Sequence, residues 1–268
     1  MKNITKKLIA LLLTALMALS FVGCKEKDAV EAIQKDGVLK VGCKQDVLNF
    51  GYLNPDTSAY EGLEIEIAYE IAAKLFHLTP EEAKNQNKVE FTAVNATTRG
   101  PLLDNGDIDV VLATFTITDE RKESWNFSTS YYTDAVGFLV LKDSGITKTE
   151  DLSGKVIGVS NAATTKDAVT EYLSEKNIEV SYKEFDTYPS IKLALSSGNV
   201  DVFSVDRGIL SSYADDTTIM LEDRFKEQDY GAATKLENKG LAELVDGVIK
   251  DLISNGKLEE YKAAFNLK

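Results

Sequence analysis

Along the chain, short apolar runs alternate with stretches of helical periodicity. "VLKVGC", "KVEFTAV" and "IDVVLATF" are β-rich and almost continuously apolar. Between the first two, "EGLEIEIAYEIAAKLF" sets Leu63, Ile65, Ile67, Ala68, Ile71, Ala72 and Leu75 near helical spacing, which predicts a helix. "TTRGPLLDNG" reads as a short helix. After Tyr132 the pattern restarts. "AVGFLVLK", "KVIGVS", "IEVSYKEF" and "VDVFSVD" are expected as strands, and "TTKDAVTEYLSEKN" and "YPSIKLALSSGN" as helices. "DYGAATK" then leads into the helical tail "KGLAELVDGVIKDLISNGKLEEYKAAF". Strands without polar alternation, separated by helices, predict parallel sheets covered on both faces.

The two halves echo each other. "LLDNGDIDVVLATFT" and "LALSSGNVDVFSVDR" each give a helix, a Gly-containing turn, an Asp and an apolar strand that empties into polar residues. The expectation is an α/β protein of two Rossmann-like lobes. Residues 37–132 and 231–268 form lobe 1, residues 136–226 form lobe 2, and crossovers lie at 131–135 and 227–230. Ligands of open α/β sheets bind beyond the carboxyl ends of the strands. Those ends are Cys43-Lys44, Thr114 to Thr116, Ser160-Asn161 and Val205-Asp206.

The first 23 residues change the picture of location. Lys2, Lys6 and Lys7 precede an apolar run, Leu8 to Phe21, that is short for a membrane span and closes on Gly23-Cys24. This is the pattern of a secretory signal. "FVGC" resembles a bacterial lipobox, with Phe21 where Leu is usual. Cys24 is then the lipidated first residue, with residues 24–36 as a polar tether; an ordinary signal peptide or an uncleaved anchor is the alternative. Two acyl chains hold a protein on a membrane where one does not. Removing residues 1–23 leaves 245 of 268, and losing the three lysines takes the formal charge from −13 to −16. Such an acidic chain without a basic stripe excludes nucleic-acid binding. With Cys24 acylated, Cys43 is the single remaining thiol and no intramolecular disulfide forms.

"TFTITDER" carries the most chemistry. Thr114 and Thr116 leave an apolar strand, and Arg121 follows five residues past Thr116. Arg121 either clamps a carboxylate with its planar fork or pairs on the surface with Asp119 or Glu120. Thr164 and Thr165 open a helix whose free N–H groups favour an anion, or Thr164 simply caps it. Asp206 ends a buried strand and needs a partner: a ligand ammonium, the next helix, or Arg207. Lys44 and Arg99 fall at element ends and are otherwise solvated charges; Tyr188 lies before Pro189 at a helix start. His77 is the only histidine, with no Cys/His cluster around it, so neither a metal site nor a cofactor is expected.

Taken together, "LKVGCKQD" with "NFGY", "EGLEIEIAYEIA", "FTITDERK", "FSTSYY", "DLSGKVIGV" and "VDVFSVD" resemble the type 3 amino-acid solute-binding proteins of bacterial ABC importers. The resemblance runs from about Gly37 to the C-terminus. "VNATTRGPLLDNGDIDVVLATFTITDERK", "NAATTKDA" and "TYPSIKLALSSGNVDVFSVD" are most similar to the aspartate/glutamate receptors of that family. It implies the type II periplasmic-binding-protein fold and closure on one free amino acid. It implies that Arg121, with Thr116 and the helix start at Thr164 and Thr165, holds the α-carboxylate. The Thr114 carbonyl and Asp206 hold the ammonium, and Lys44, Arg99 and Tyr188 face the side-chain carboxylate. Ala163 stands where the family has Gly, Cys43 where it often has Val, and Asn49 where Pro is commoner. The implied protein is a monomeric receptor, lipid-anchored on the outer face of the cell membrane or in the periplasm, that delivers ligand to an ABC permease. Periplasmic dehydratases have similar folds, but the motifs offer no histidine and no paired carboxylates beyond Asp206, so an enzyme is not expected.

Overall fold

The structure is a computed structural model that describes residues 29–267. The signal segment and the lipobox at Cys24 lie outside the described residues. Among those described, no helix is long and apolar enough to cross a membrane.

Two sheets dominate. The first has the strand order Val89–Ala93, Leu39–Cys43, Val110–Leu112, Ala233–Lys235, Trp125–Phe127. The second runs Ser181–Phe185, Val156–Ser160, Val202–Asp206, Tyr132–Leu141, Thr218–Met220, with Phe225–Tyr230 also paired to Tyr132–Leu141. In each, three strands are parallel, as the apolar runs imply. The rest are antiparallel, which corrects the all-parallel expectation. The reason is connectivity. The chain passes from one sheet to the other and back, and the passing segments join each sheet without a crossover helix to restore their direction. A small antiparallel sheet of Asp46–Val47, Gly51–Leu53 and Tyr60–Glu61 has no counterpart in the sequence pattern, because its strands are too short to alternate.

The two passages lie side by side. Tyr132–Leu141 and Phe225–Tyr230 pair antiparallel from Tyr132↔Tyr230 to Val136↔Phe225, with a bulge between Phe225 and Glu227. Tyr131 and Tyr230 are fully buried there, and Phe50 sets its ring edge-on to Tyr132 and Tyr230 at 5.0 and 5.7 Å.

The helix Leu63–Phe76 buries Leu63, Ile67, Ala68, Ile71 and Leu75 against the first sheet and the tail. Gly62 starts it at φ 126°, where a Cβ would overlap the Phe50 carbonyl oxygen. The tail forms two helices, Lys239–Ser254 and Lys257–Ala264, broken at Gly256 with φ 81°. It packs on Leu63–Phe76, and Lys257 forms an ion pair with Glu70. "TPEEAKNQN" becomes the helix Pro80–Asn85 with a capping box: Glu82 N–H to Thr79 Oγ1 at 3.2 Å, and Thr79 N–H to Glu82 Oε2 at 2.8 Å. Residues 29–36, expected within the tether, instead form a helix. Its apolar Ile33 is buried, and Gln34 Nε2 donates to the Leu75 carbonyl at 2.7 Å.

Candidate functional site

The exits of the parallel strands converge between the two sheets, and the side chains singled out in the sequence meet there. Lys44, Arg99, Thr114, Thr116, Thr165, Tyr188 and Asp206 are buried, and Arg121 and Thr164 are partly so. None of the basic residues is the solvated charge that isolation in the sequence allows.

Arg121 belongs to the short helix Asp119–Lys122, capped by Thr118. One of its two surface partners is taken otherwise: Asp119 pairs with Lys122 at 3.1 Å. The guanidinium turns inward. Nη1 donates to the Thr116 carbonyl at 2.7 Å, and Nη2 donates across to the carbonyl of Ala162, just past a strand of the second sheet, at 3.3 Å. Arg99 opens the helix Arg99–Asn105, with Nη1 donating to the Ala113 carbonyl at 2.9 Å. Both guanidiniums pack on Phe115, at 3.9 Å for Arg99 and 4.7 Å for Arg121. Burial and the neighbouring Arg99 push the Arg121 pKa down to about 9.

Lys44 sits 4.5 Å over the Tyr188 ring and 3.1 Å from Asp46 Oδ1. Burial lowers its pKa, and Asp46 opposes that. Asp206 ends its strand at full burial. Arg207 does not pair with it, donating instead to the Leu221 and Asp223 carbonyls, and the next helix takes no cap from it. Its Oδ2 accepts from Tyr230 O–H at 2.5 Å. Burial first, then the nearby Asp134, raise its pKa to about 7. Thr164 does not cap its helix either; its Oγ1 donates to Gln228 Oε1 at 2.7 Å, and Thr116 Oγ1 donates to the same oxygen at 2.9 Å. Ala162 and Thr114 hold left-handed backbone, φ 56° and 44°, which turns the chain sharply at two strand exits. Beside Thr116, Arg121, Thr164 and Gln228 a groove of about 780 Å³ opens to solvent.

Three residues of this cleft had no place in the motif reading. Gln228 bridges Thr116 and Thr164, but "EQDY" gives no signal for it. Tyr230 supports Asp206. Glu64 is fully buried, its Oε1 accepting from Thr114 N–H at 2.6 Å and Tyr131 O–H at 2.5 Å. Glu64 did leave a trace, as a carboxylate inside the apolar stripe of Leu63–Phe76. With Asp46 and Glu64 the cleft holds more negative charge than the count of Asp206 alone had given. Carboxylates other than Asp206 are therefore present, contrary to the motif count. Cys43 is buried, with its thiol pushed up by desolvation, and His77 is exposed at a helix end. Among the described residues no His, Cys, Asp or Glu cluster suits a metal ion.

Sequence and structure comparisons fit this geometry. The chain is 34% identical over 239 residues to the ABC transporter glutamine-binding protein GlnH of Bacillus subtilis, covering 88% of this chain and 83% of that one. It is 27% identical over 259 residues to the glutamate-binding protein GluB of Corynebacterium glutamicum, covering 92% and 85%. The two-sheet fold with two passages is shared with a cysteine-binding protein from Campylobacter jejuni: TM-score 0.77, 27% identity, 89% of this chain and 92% of that one. These relatives are binding proteins rather than enzymes. The family model of the bacterial extracellular solute-binding proteins, family 3, matches residues 39–268, and the chain belongs to that family.

Proposed function

We propose that the protein is an extracytoplasmic receptor that closes on one free acidic amino acid and delivers it to an ABC permease. Arg121 and Thr116 take the α-carboxylate, with the helix start at Thr164 and Thr165 behind them. Asp206 and the Thr114 carbonyl take the ammonium. Lys44, Arg99 and Tyr188 face the side chain. Family membership and the convergence of these groups support the amino-acid receptor. Arg99 supports the acidic ligand. It is a buried guanidinium whose Nε makes no hydrogen bond, and among the described residues no carboxylate lies within ion-pair distance, Glu64 and Asp206 acting on it only from farther off. Leaving such a cation without a directly paired anion costs several kcal/mol even after relaxation. That corresponds to about a hundredfold to a thousandfold in affinity.

A second reading, a glutamine receptor, draws on the Lys44–Asp46 pair, which already neutralises one of the two cations, and on the likeness to GlnH. Calorimetry with aspartate, glutamate, asparagine, glutamine and cystine separates them. The chain starting at Lys25, which keeps every described residue, is the material. Tight binding of aspartate or glutamate, with the amides at least tenfold weaker, is expected. Tight glutamine or cystine binding with weak acidic binding removes Lys44 and Arg99 from the carboxylate role. The membrane anchor at Cys24 belongs to the same proposal. Cys24→Ala abolishes acyl labelling if it is correct, and unchanged labelling defeats it.

A further inference from the structure

Glu64 is placed where a structural carboxylate has no obvious reason to be. It sits one residue into the helix Leu63–Phe76, on the face that packs into the cleft floor, and no part of it reaches solvent. Oε1 is held by Thr114 N–H and Tyr131 O–H, while Oε2 is buried with no hydrogen bond. The charged and titratable groups around it come from three other segments: Cys43 and Lys44 at the end of Leu39–Cys43, Arg99 from its helix, and Tyr131 before the first passage. Its bond to Thr114 pins a non-glycine residue at φ 44°. That residue is also where Arg99 reaches a carbonyl, Thr114 O, at 3.4 Å.

We propose that Glu64 is a positioning and charge-matching residue of the ligand cleft, which takes up a proton when an acidic amino acid binds. The inference rests on the acidic-ligand reading above. In the cleft without ligand, ionised Glu64 offsets the Arg99 charge. A side-chain carboxylate arriving at Arg99 puts a second anion against that charge, since Lys44 is already paired with Asp46, and like charges at that depth do not both stay ionised near neutral pH. Burial has already raised the Glu64 pKa to about 7, against the pull of Tyr131, Thr114, Lys44 and Arg99. A further push neutralises it. The proton comes from solvent and goes to Oε2, the oxygen without a partner. The Thr114 and Tyr131 bonds to Oε1 survive, so the Thr114 turn keeps its shape in both states. The cleft thereby accepts an extra negative charge without a new cation.

The test is calorimetry of glutamate binding at pH 7.5 in two buffers of different ionisation heat, on the chain from Lys25 and its Glu64→Gln variant. Asp206 serves the ammonium in both proteins, so its own proton change cancels in the comparison. The wild type is expected to take up on the order of one proton more than Glu64→Gln. Its glutamate affinity then falls by up to about tenfold per pH unit above pH 7, a dependence that Glu64→Gln lacks. Gln retains an acceptor for Thr114 and Tyr131, so a merely structural role of Glu64 leaves the pH profile unmoved. Equal proton counts, or equal pH profiles, overturn the proposal while leaving the acidic reading in place. Absence of any glutamate binding to the wild type, with tight glutamine binding, overturns both. Should Glu64→Gln not fold, Tyr131→Phe replaces it. Losing that O–H raises the Glu64 pKa, so proton uptake at pH 7.5 shrinks and its window moves to higher pH; an unmoved window overturns the proposal.

Discussion

Arg121 and Asp206 are the residues proposed to hold the groups common to all amino acids, and their substitutions separate binding from folding. Arg121→Lys keeps the charge but loses the planar fork and the reach to both Thr116 and Ala162 carbonyls. Affinity is expected to fall by about thirtyfold to a hundredfold, on loss of a charge-assisted bidentate contact worth roughly 2–3 kcal/mol. Near wild-type affinity by calorimetry would show that the α-carboxylate lies elsewhere. Asp206→Asn is expected to abolish binding and yet stabilise the ligand-free fold. The sign follows from burial. The folded pKa, about 7, lies above the usual carboxylate value, so the contribution of Asp206 is fully present at low pH and is lost as pH rises through about 7. At pH 8 the wild type carries a buried charge that Asn lacks. A rise in Tm on the order of 5 °C is expected at pH 8, shrinking towards zero at pH 4. A variant less stable than wild type at pH 8 contradicts this account of the carboxylate.

Elements show how far local pattern carries. Apolar periodicity located the helix Leu63–Phe76 and the strand Val202–Asp206 because each buries one continuous stripe or run. The capping box between Thr79 and Glu82 makes a clean prediction about stability alone. Thr79→Ala is expected to cost about 1 kcal/mol in denaturant unfolding and to leave ligand affinity unchanged, since that helix lies away from the cleft. Loss of affinity in that variant would mean the helix reaches the site. Other elements were not readable. The strands Asp46–Val47 and Gly51–Leu53 are held by partners and by the Asn49 turn at φ 74°, not by composition. That turn also accounts for Asn where proline is commoner, because proline cannot adopt positive φ.

At the scale of the molecule, the proposed closure rests on contacts between residues 37–132 and residues 136–226. Besides the Arg121–Ala162 bond, Tyr213 O–H donates to the Asp46 carbonyl at 2.7 Å, and Ser212 Oγ donates to the Leu48 carbonyl at 3.2 Å. Neither Tyr213 nor Ser212 belongs to the proposed ligand set. Tyr213→Phe is expected to weaken ligand binding by about fivefold, because it removes one hydrogen bond, about 1 kcal/mol, made only when the lobes meet. Unchanged affinity would mean that this bond persists in the open form. Small-angle scattering is expected to give a smaller radius of gyration with saturating ligand, the two paired passages acting as the hinge. Identical curves would count against closure.

The sequence by itself determined the α/β class and the echo of two halves, and it singled out the residues proposed to carry the zwitterion chemistry. These are local properties: a periodicity, a strand exit, a threonine five residues before an arginine. The tertiary structure alone decided what those residues face. Lys44 has Asp46 beside it, Thr164 shares Gln228 with Thr116 rather than capping its helix, and Asp206 is held by Tyr230 rather than Arg207. Each of these pairs except the first joins positions at least 24 residues apart. The charge of the cleft is the sharpest case. In the sequence Glu64 carries only the faint signal of a carboxylate inside an apolar helical stripe. It became a buried carboxylate only because helix, strand exit and passage close around it, and desolvation depends on that enclosure and not on sequence spacing.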